Sequence, residues 1–460
     1  MSAQITTETV GRPRRARRAN KQAASVVVLG SSVWGVRVVN TINELRVLAP
    51  QLRMVHAQSA SRSPFSTFDF IETYARYNEY FPEPGSLDLC VACAFSGNEL
   101  VGYVALKRVR DHVGPVGYTK LEFLCTHDSE LPEIVARAGD EERVSTVLIE
   151  YLLEHEPGFA MLELKEQRAG SPILTNSLGS SAFSGFYART FASLDVATVN
   201  IRWSTLADYF WDFNKKFRSN VSRQVRKLAA LDDVELLSAR HPADLEPIFE
   251  LYLDLERRSW KAQADGVIGR HPKRVAFFRD LVAKAAPFEL SFDILCVRGL
   301  PIAGIVNGRH ERNLYALQIV YDEDFRDNGP GVLMLLWSMK RAIEQKLSAY
   351  HLLHGSAYYK TRWLADVTST ESMQYFRVGT AAHLRARLGE ARRWMGSLQP
   401  EAFAALKYNL DKRRVLTQSR PALSAEAHET SRALVNRVKQ MPGTVVNDGA
   451  AIAAAMPFQV

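Results

Sequence analysis

Arg326-Asp327-Asn328-Gly329-Pro330-Gly331 stands between an apolar, aromatic run, Leu314 to Tyr321, and an apolar-periodic run, Val332 to Lys346. The first run reads as a strand and the second as a helix. A basic residue followed by Gly-x-Gly at a strand-to-helix junction has the composition of a phosphate cradle. Glycines let the backbone approach an anion, and the helix start adds free N–H groups and the positive end of its dipole. The pyrophosphate of an acyl-CoA is one natural occupant. A plain tight loop uses the same residues, and Asp327 disfavours an anion unless it points away.

The surrounding chain narrows the choice. It has 460 residues, enough for two domains and tails. A 47 % share of hydrophobic residues supports packed cores and excludes global disorder. No apolar run approaches the ~20 residues that cross a bilayer, and the N-terminus lacks the shape of a signal peptide, so a cytoplasmic protein is expected. The net charge is +8, but residues 1–24 hold six arginines and lysines against Glu8. That leader therefore carries +5 and leaves +3 for the rest, which gives no ground for a DNA-binding fold. It reads as a disordered basic leader, with contact to an anionic surface as the alternative. Cys90 and Cys93 form a C-x-x-C, yet on a strand residues three apart face opposite ways. His351 and His354 are separated in the same manner. No metal constellation is expected, and four reduced thiols suit the cytosol.

Residues 36–200 read as one α/β unit. Leu52 to Gln58 is expected as a strand and Ser66 to Tyr80 as a helix. Leu87–Phe95 and Leu100–Lys107 form a hairpin across Ser96-Gly97-Asn98-Glu99. A strand at Leu121–Leu124, a helix at Glu142–His155 and a strand at Ala160–Leu164 complete it. Residues 201–394 read as a second unit: a helix from Leu206 to Leu231, a strand, two helices, and a hairpin across Arg298-Gly299-Leu300-Pro301. The Leu314–Tyr321 strand, the glycine loop, its helix and a strand from Ala349 to Leu353 follow. The two units share one order of elements, an internal duplication of architecture. Residues 395–460 are expected to be a helical or disordered tail, peripheral to both.

Four ordered motifs mark the second unit: Lys215-Lys216-Phe217-Arg218-Ser219-Asn220 with Arg223 and Arg226-Lys227, then Ser259-Trp260-Lys261, Gly329-Pro330-Gly331, and Gly355 with Tyr359-Lys360 and Trp363. Together they resemble the GNAT-like acetyltransferase family of cellulose and exopolysaccharide biosynthesis. The first unit matches more loosely, through Pro64-Phe65, its hairpin and Leu121-Glu122-Phe123-Leu124, so the resemblance covers about 40 to 390. It implies an α/β (α+β) fold of two tandem GNAT-like domains, each a mixed sheet flanked by helices. It also implies an acyl-CoA donor, with acetyl-CoA first, no metal, and a small-molecule or glycan acceptor. The two-domain plan is similar as well to Fem-type transferases, which take an amino acid from aminoacyl-tRNA. Ser356 and Ala357 depart from the family, which often carries acids there, and His351 stands where an acid is common. A histidine such as His354, or a tyrosine, would have to act instead.

On this resemblance Arg326, Asn328, Gly329, Gly331 and Val332 are the expected donor-phosphate site. Lys215, Lys216, Arg218 and Arg223 are the expected anion contacts, with Trp260 beside the acceptor. Tyr359, Lys360, Tyr315 and Lys261 are the expected catalytic residues. A tyrosine can protonate a leaving thiolate and a lysine can polarise a thioester carbonyl. Each has a structural alternative: a solvated basic face for the helix, a core anchor for Trp260, a helix-end charge for Lys261, and an aromatic cap with a charged rim for the Tyr-Lys pair. Three functions are open: acyl-CoA-dependent acyltransferase, aminoacyl-tRNA-dependent transferase, and non-catalytic scaffold. The second lacks its expected long charged helical hairpin.

Overall fold

The computed structural model describes residues 25–29, 32–60, 63–77, 88–124, 129–156, 158–175, 185–259, 267–354, 358–397 and 425–456. The basic leader lies outside them. Among the described residues, two mixed sheets are flanked by helices. Nine strands form the first: β1 (Ser25–Leu29), β2 (Ser32–Val39), β3 (Leu89–Ser96), β4 (Glu99–Val113), β5 (Val116–Phe123), β6 (Val135–Ala136), β7 (Phe159–Arg168), β8 (Phe186–Ala192) and β16 (Thr370–Arg377). Eight form the second: β9 (Val196–Asn200), β10 (Val234–Ala239), β11 (Glu289–Val297), β12 (Leu300–His310), β13 (Asn313–Tyr321), β14 (Ala349–His354), β15 (Asp366–Thr368) and β17 (Val445–Asp448).

The duplication read from the sequence is visible in the pairing. In each half an antiparallel meander, β3-β4-β5 or β11-β12-β13, leads through a crossover helix to a parallel strand. The crossover helices are Glu141–His155 and Pro330–Glu344. Parallel neighbours need such a connection, because a tight turn reverses the chain. The β11–β12 turn places both Arg298 (φ 51°) and Gly299 (φ 69°) in the left-handed region. That is the two-residue turn whose twist matches a hairpin.

The sheets also exchange strands. β9 lies in the second sheet between β14 and β15, and β16 returns to the first, between β7 and β8. A boundary near residue 200 therefore does not separate the two sheets.

Three expectations are corrected. Leu52 to Gln58 is helical, within Ala49–Gln58, and buries Leu52, Val55 and His56. A short apolar run does not reveal its own period. The helix expected from Leu206 to Leu231 is two, Leu206–Trp211 and Lys215–Ala229. Thr205 and Asn214 cap them separately, each accepting a backbone N–H at the third position of its helix. The tail is not peripheral: β17 extends the second sheet beyond β10, and Val435, Val438 and Ile452 are buried.

The halves share a core. Phe70 meets Phe277 at 5.6 Å between ring centroids, and Phe65 meets Phe288 at 5.5 Å and Tyr315 at 5.7 Å. Beside these rings Arg76 pairs with Asp280 and Lys284 with Glu72, each at 3.0 Å. Cys90 and Cys93 are buried in different core clusters, on opposite faces of β3.

Candidate functional site

β13 and β14 pair only through Asn313↔Ala349, Leu314↔Tyr350 and Tyr315↔His351. Beyond that point they part, and the edge of β13 from Ala316 to Tyr321 that faces β14 has no strand partner among the described residues. A bulge starts the splay. Asn307 pairs with Ala316 but Val306 with Gln318, so Leu317 is an extra residue in β13. An inserted residue bends its strand and re-aims the side chains beyond it. Tyr315 and His351 close the apex of the wedge as stacked rings, 4.4 Å apart and 7° from parallel. Burial, with a smaller contribution from Arg168, pushes His351 down to about 4. At neutral pH it is an uncharged ring, 3.2 Å from Thr198 Oγ1. Burial also pushes the Tyr315 phenol above its ordinary range.

The glycine loop sits at the open end of this wedge. Glu323–Asn328 forms a 3₁₀ turn, with Arg326 largely exposed and 3.9 Å from Glu323. Gly329 (φ 65°) caps the helix Pro330–Glu344, whose first turn has no acid. A Cβ on Gly329 would meet the Gln224 side chain at 2.6 Å, whereas one on Gly331 would have Tyr321 Cδ1 as nearest neighbour at 3.7 Å. Only Gly329 is held to glycine by the fold. Val332 N–H donates to Gly329 O at 3.0 Å. Asn328 ends the 3₁₀ turn.

Gln224 belongs to Lys215–Ala229, so the basic helix lies directly against the loop. It too has no acid in its first turn, where Lys215 and Lys216 are exposed. Two cations at the positive end of a helix oppose its dipole, at roughly 0.3–1 kcal/mol each. Arg223 is exposed and reaches Asn220 Oδ1 at 2.7 Å. Arg218 is turned inward, donating to the carbonyls of Trp211 (2.6 Å) and Phe213, and so is a fold contact.

Of the expected catalytic residues, Lys261 lies outside the described residues, as does Trp260. Tyr359 falls on the short helix Tyr358–Thr361. Lys360 is buried, and its ammonium donates to the carbonyls of Leu352 (2.7 Å), Leu353 (2.9 Å) and His354. Those bonds take up the donors a thioester oxygen would need. Lys360 therefore fastens the end of β14, where Leu353 is in the left-handed region (φ 57°). Trp363 is buried against Phe213 and Phe217.

Sequence reading missed a polar cluster contributed by both halves. A cavity of about 50 Å³ lies where β13 and β14 part, lined by Phe70, Phe277, Phe288 and Leu317 with Ser129 and His354. His354 Nε2 is 2.7 Å from Ser129 O and 3.2 Å from Glu166 Oε2. Glu130 is buried with neither carboxyl oxygen partnered among the described residues, and burial pushes it up to about 7 despite Arg168 and Lys360. Burial raises Glu166 as well, against the opposing effect of His354 and Lys165. Three bulky residues here have positive φ: Leu131 (49°), Glu166 (59°) and Leu353 (57°). Such conformations cost about 1–2 kcal/mol each and collect at working sites. His354 was legible beside Gly355; Glu130 and Glu166 carry no motif and meet it only through the fold.

No curated protein matches the chain. Among solved structures it is similar to FemX, at 9 % identity over 71 % of this chain and 95 % of that one, with a TM-score of 0.47. It is similar to the C-terminal domain of a putative lysylphosphatidylglycerol synthetase from Agrobacterium fabrum, at 12 % over 76 % and 96 %, TM-score 0.45. A tandem GNAT protein from the clavulanic acid biosynthesis pathway aligns at 11 % over 76 % and 99 %, TM-score 0.43. All three scores lie below 0.5. Residues 215–361, which hold the basic helix, the wedge, the glycine loop and Lys360, match the sequence model of the acetyltransferase (GNAT) domain family.

Proposed function

We propose that this protein is an acyltransferase whose second half binds an acyl-CoA in the wedge between β13 and β14. The observation that carries the reading is the splay itself, open at one end toward the glycine loop and leading at the other to the cavity beside His354. The donor phosphates rest at Gly331 on the start of the Pro330–Glu344 helix, with Arg326 and the exposed cations of the basic helix around them. The acyl group passes through the wedge to the cavity, where an amine or hydroxyl of the acceptor attacks it directly. An acetyl donor, and an acceptor in polysaccharide or cell-envelope synthesis, are the finer parts of this proposal. Lys360 positions the end of β14, and Tyr315 with His351 shapes the apex.

Among the described residues the first half offers no second cradle. Its crossover helix, Glu141–His155, has Asp140 at its cap and opens with Glu141 and Glu142, three carboxylates where phosphates would have to sit. Calorimetric titration with acetyl-CoA should therefore give one site per chain, weakened by salt because surface cations contribute. Two equal sites, or none, would contradict the reading.

A further inference from the structure

We infer that His354 takes the proton from the attacking acceptor and that Glu166, brought from the other half, orients it. The inference rests on the acyl-donor reading. His354 Nε2 has two acceptors, Ser129 O at 2.7 Å and Glu166 Oε2 at 3.2 Å. It must carry the hydrogen to satisfy them, so the neutral ring keeps its lone pair on Nδ1. That atom is buried and has no hydrogen-bond partner among the described residues. A base whose far nitrogen is held by a carboxylate is the arrangement that sets tautomer and ring direction for proton transfer.

The fold is shaped to make this contact. Pairing of β7 with β16 slips between Glu371 and Met373, leaving a bulge that contains Glu166. Its left-handed backbone is held by a bond from Glu166 N–H to Ser372 Oγ at 3.1 Å. Gln167 Nε2 ties Pro132 O (2.7 Å) to Lys165 O (2.6 Å), fastening the Ser129 segment to the same bulge. Lys360 holds the His354 end. The other charged groups at the pair are Lys165 and Glu130, both acting on or felt by Glu166, with Arg168 and Lys360 in turn beside Glu130.

In the step, the acceptor nitrogen or oxygen forms a bond to the thioester carbonyl carbon and its proton moves to His354 Nδ1. The C–S bond then breaks, its electron pair stays on sulfur, and the imidazolium returns the proton to that thiolate. An acylated acceptor and free CoA thiol leave, with no net change on the enzyme.

The test uses the full chain with acetyl-CoA and hydroxylamine as a generic nucleophile, reading thiol release from pH 5 to 9. His354→Ala should lower the rate by about 10²–10⁴, leave acetyl-CoA affinity unchanged, and regain rate with added imidazole. Glu166→Gln should lower turnover while leaving acetyl-CoA affinity unchanged, and Glu166→Asp, which keeps the carboxylate, should regain part of the rate. If wild type fails to bind acetyl-CoA, the donor reading falls and this pair with it. If wild type binds but releases no thiol above the uncatalysed rate, or if it turns over and His354→Ala keeps the rate while Glu130→Gln loses it, the pair alone is overturned.

Discussion

Lys360 closes the end of β14: its ammonium donates to the carbonyls of Leu352, Leu353 and His354, where Leu353 is held at positive φ. We expect Lys360→Met to lower unfolding free energy by about 2–4 kcal/mol, because charged hydrogen bonds of this kind contribute about 1.5–3 kcal/mol and a strained backbone loses its anchor. Denaturant unfolding would read it; unchanged stability with lost turnover would return Lys360 to the chemistry. Glu130 gives a pH signature. Its carboxyl is raised from 4.5 to about 7, so the folded state holds the proton more tightly than the unfolded chain. Stability is then full below 4.5, falls as pH rises toward 7, and levels off above it. Glu130→Gln should be close to neutral at pH 4.5 and stabilising at pH 8, by about 3 kcal/mol at ~1.4 kcal/mol per pH unit. Equal effects at both pH values would contradict this.

At the scale of elements, the glycine loop was legible because its three signals follow one another within a short stretch of chain: strand, Gly-Pro-Gly, helix. The structure divides labour that the sequence left equal. Gly329 serves the fold, with positive φ and Gln224 against it, and Gly331 leaves open space. Gly329→Ala should destabilise by at least the ~1–2 kcal/mol of a left-handed alanine. Gly331→Ala should be silent in thermal unfolding, and an equal loss of Tm in both would contradict the assignment. The break between Leu206–Trp211 and Lys215–Ala229 was hidden because apolar residues continue across it. Its signals are the cap residues Thr205 and Asn214, which side-chain chemistry marks more faintly than glycine.

At the scale of the whole molecule, two sheets and their duplication were legible, since each half repeats its periodicities. The exchange of β9 and β16 was not. Strand partners are chosen by packing at long range, and β16 pairs with strands some two hundred residues earlier. Residues 201–394 expressed alone would lack β9, which the second sheet needs beside β14, and would expose β16. We expect that fragment to be insoluble or unfolded by circular dichroism; a folded monomer would contradict the exchange. The halves are also joined through Glu72. Burial raises its carboxyl, but bonds from Arg76, Lys284 and Arg46 outweigh this and hold it at about 2, below the usual 4.5. That stability is present above pH 4.5 and lost as pH falls toward 2. The central claim is that one acyl-CoA lies with its phosphates on the start of Pro330–Glu344. Titration of acetyl-CoA into wild type and Gly331→Glu tests it most directly: binding to wild type and none to the variant, at equal Tm, is the expected result, and equal affinity for both would contradict it.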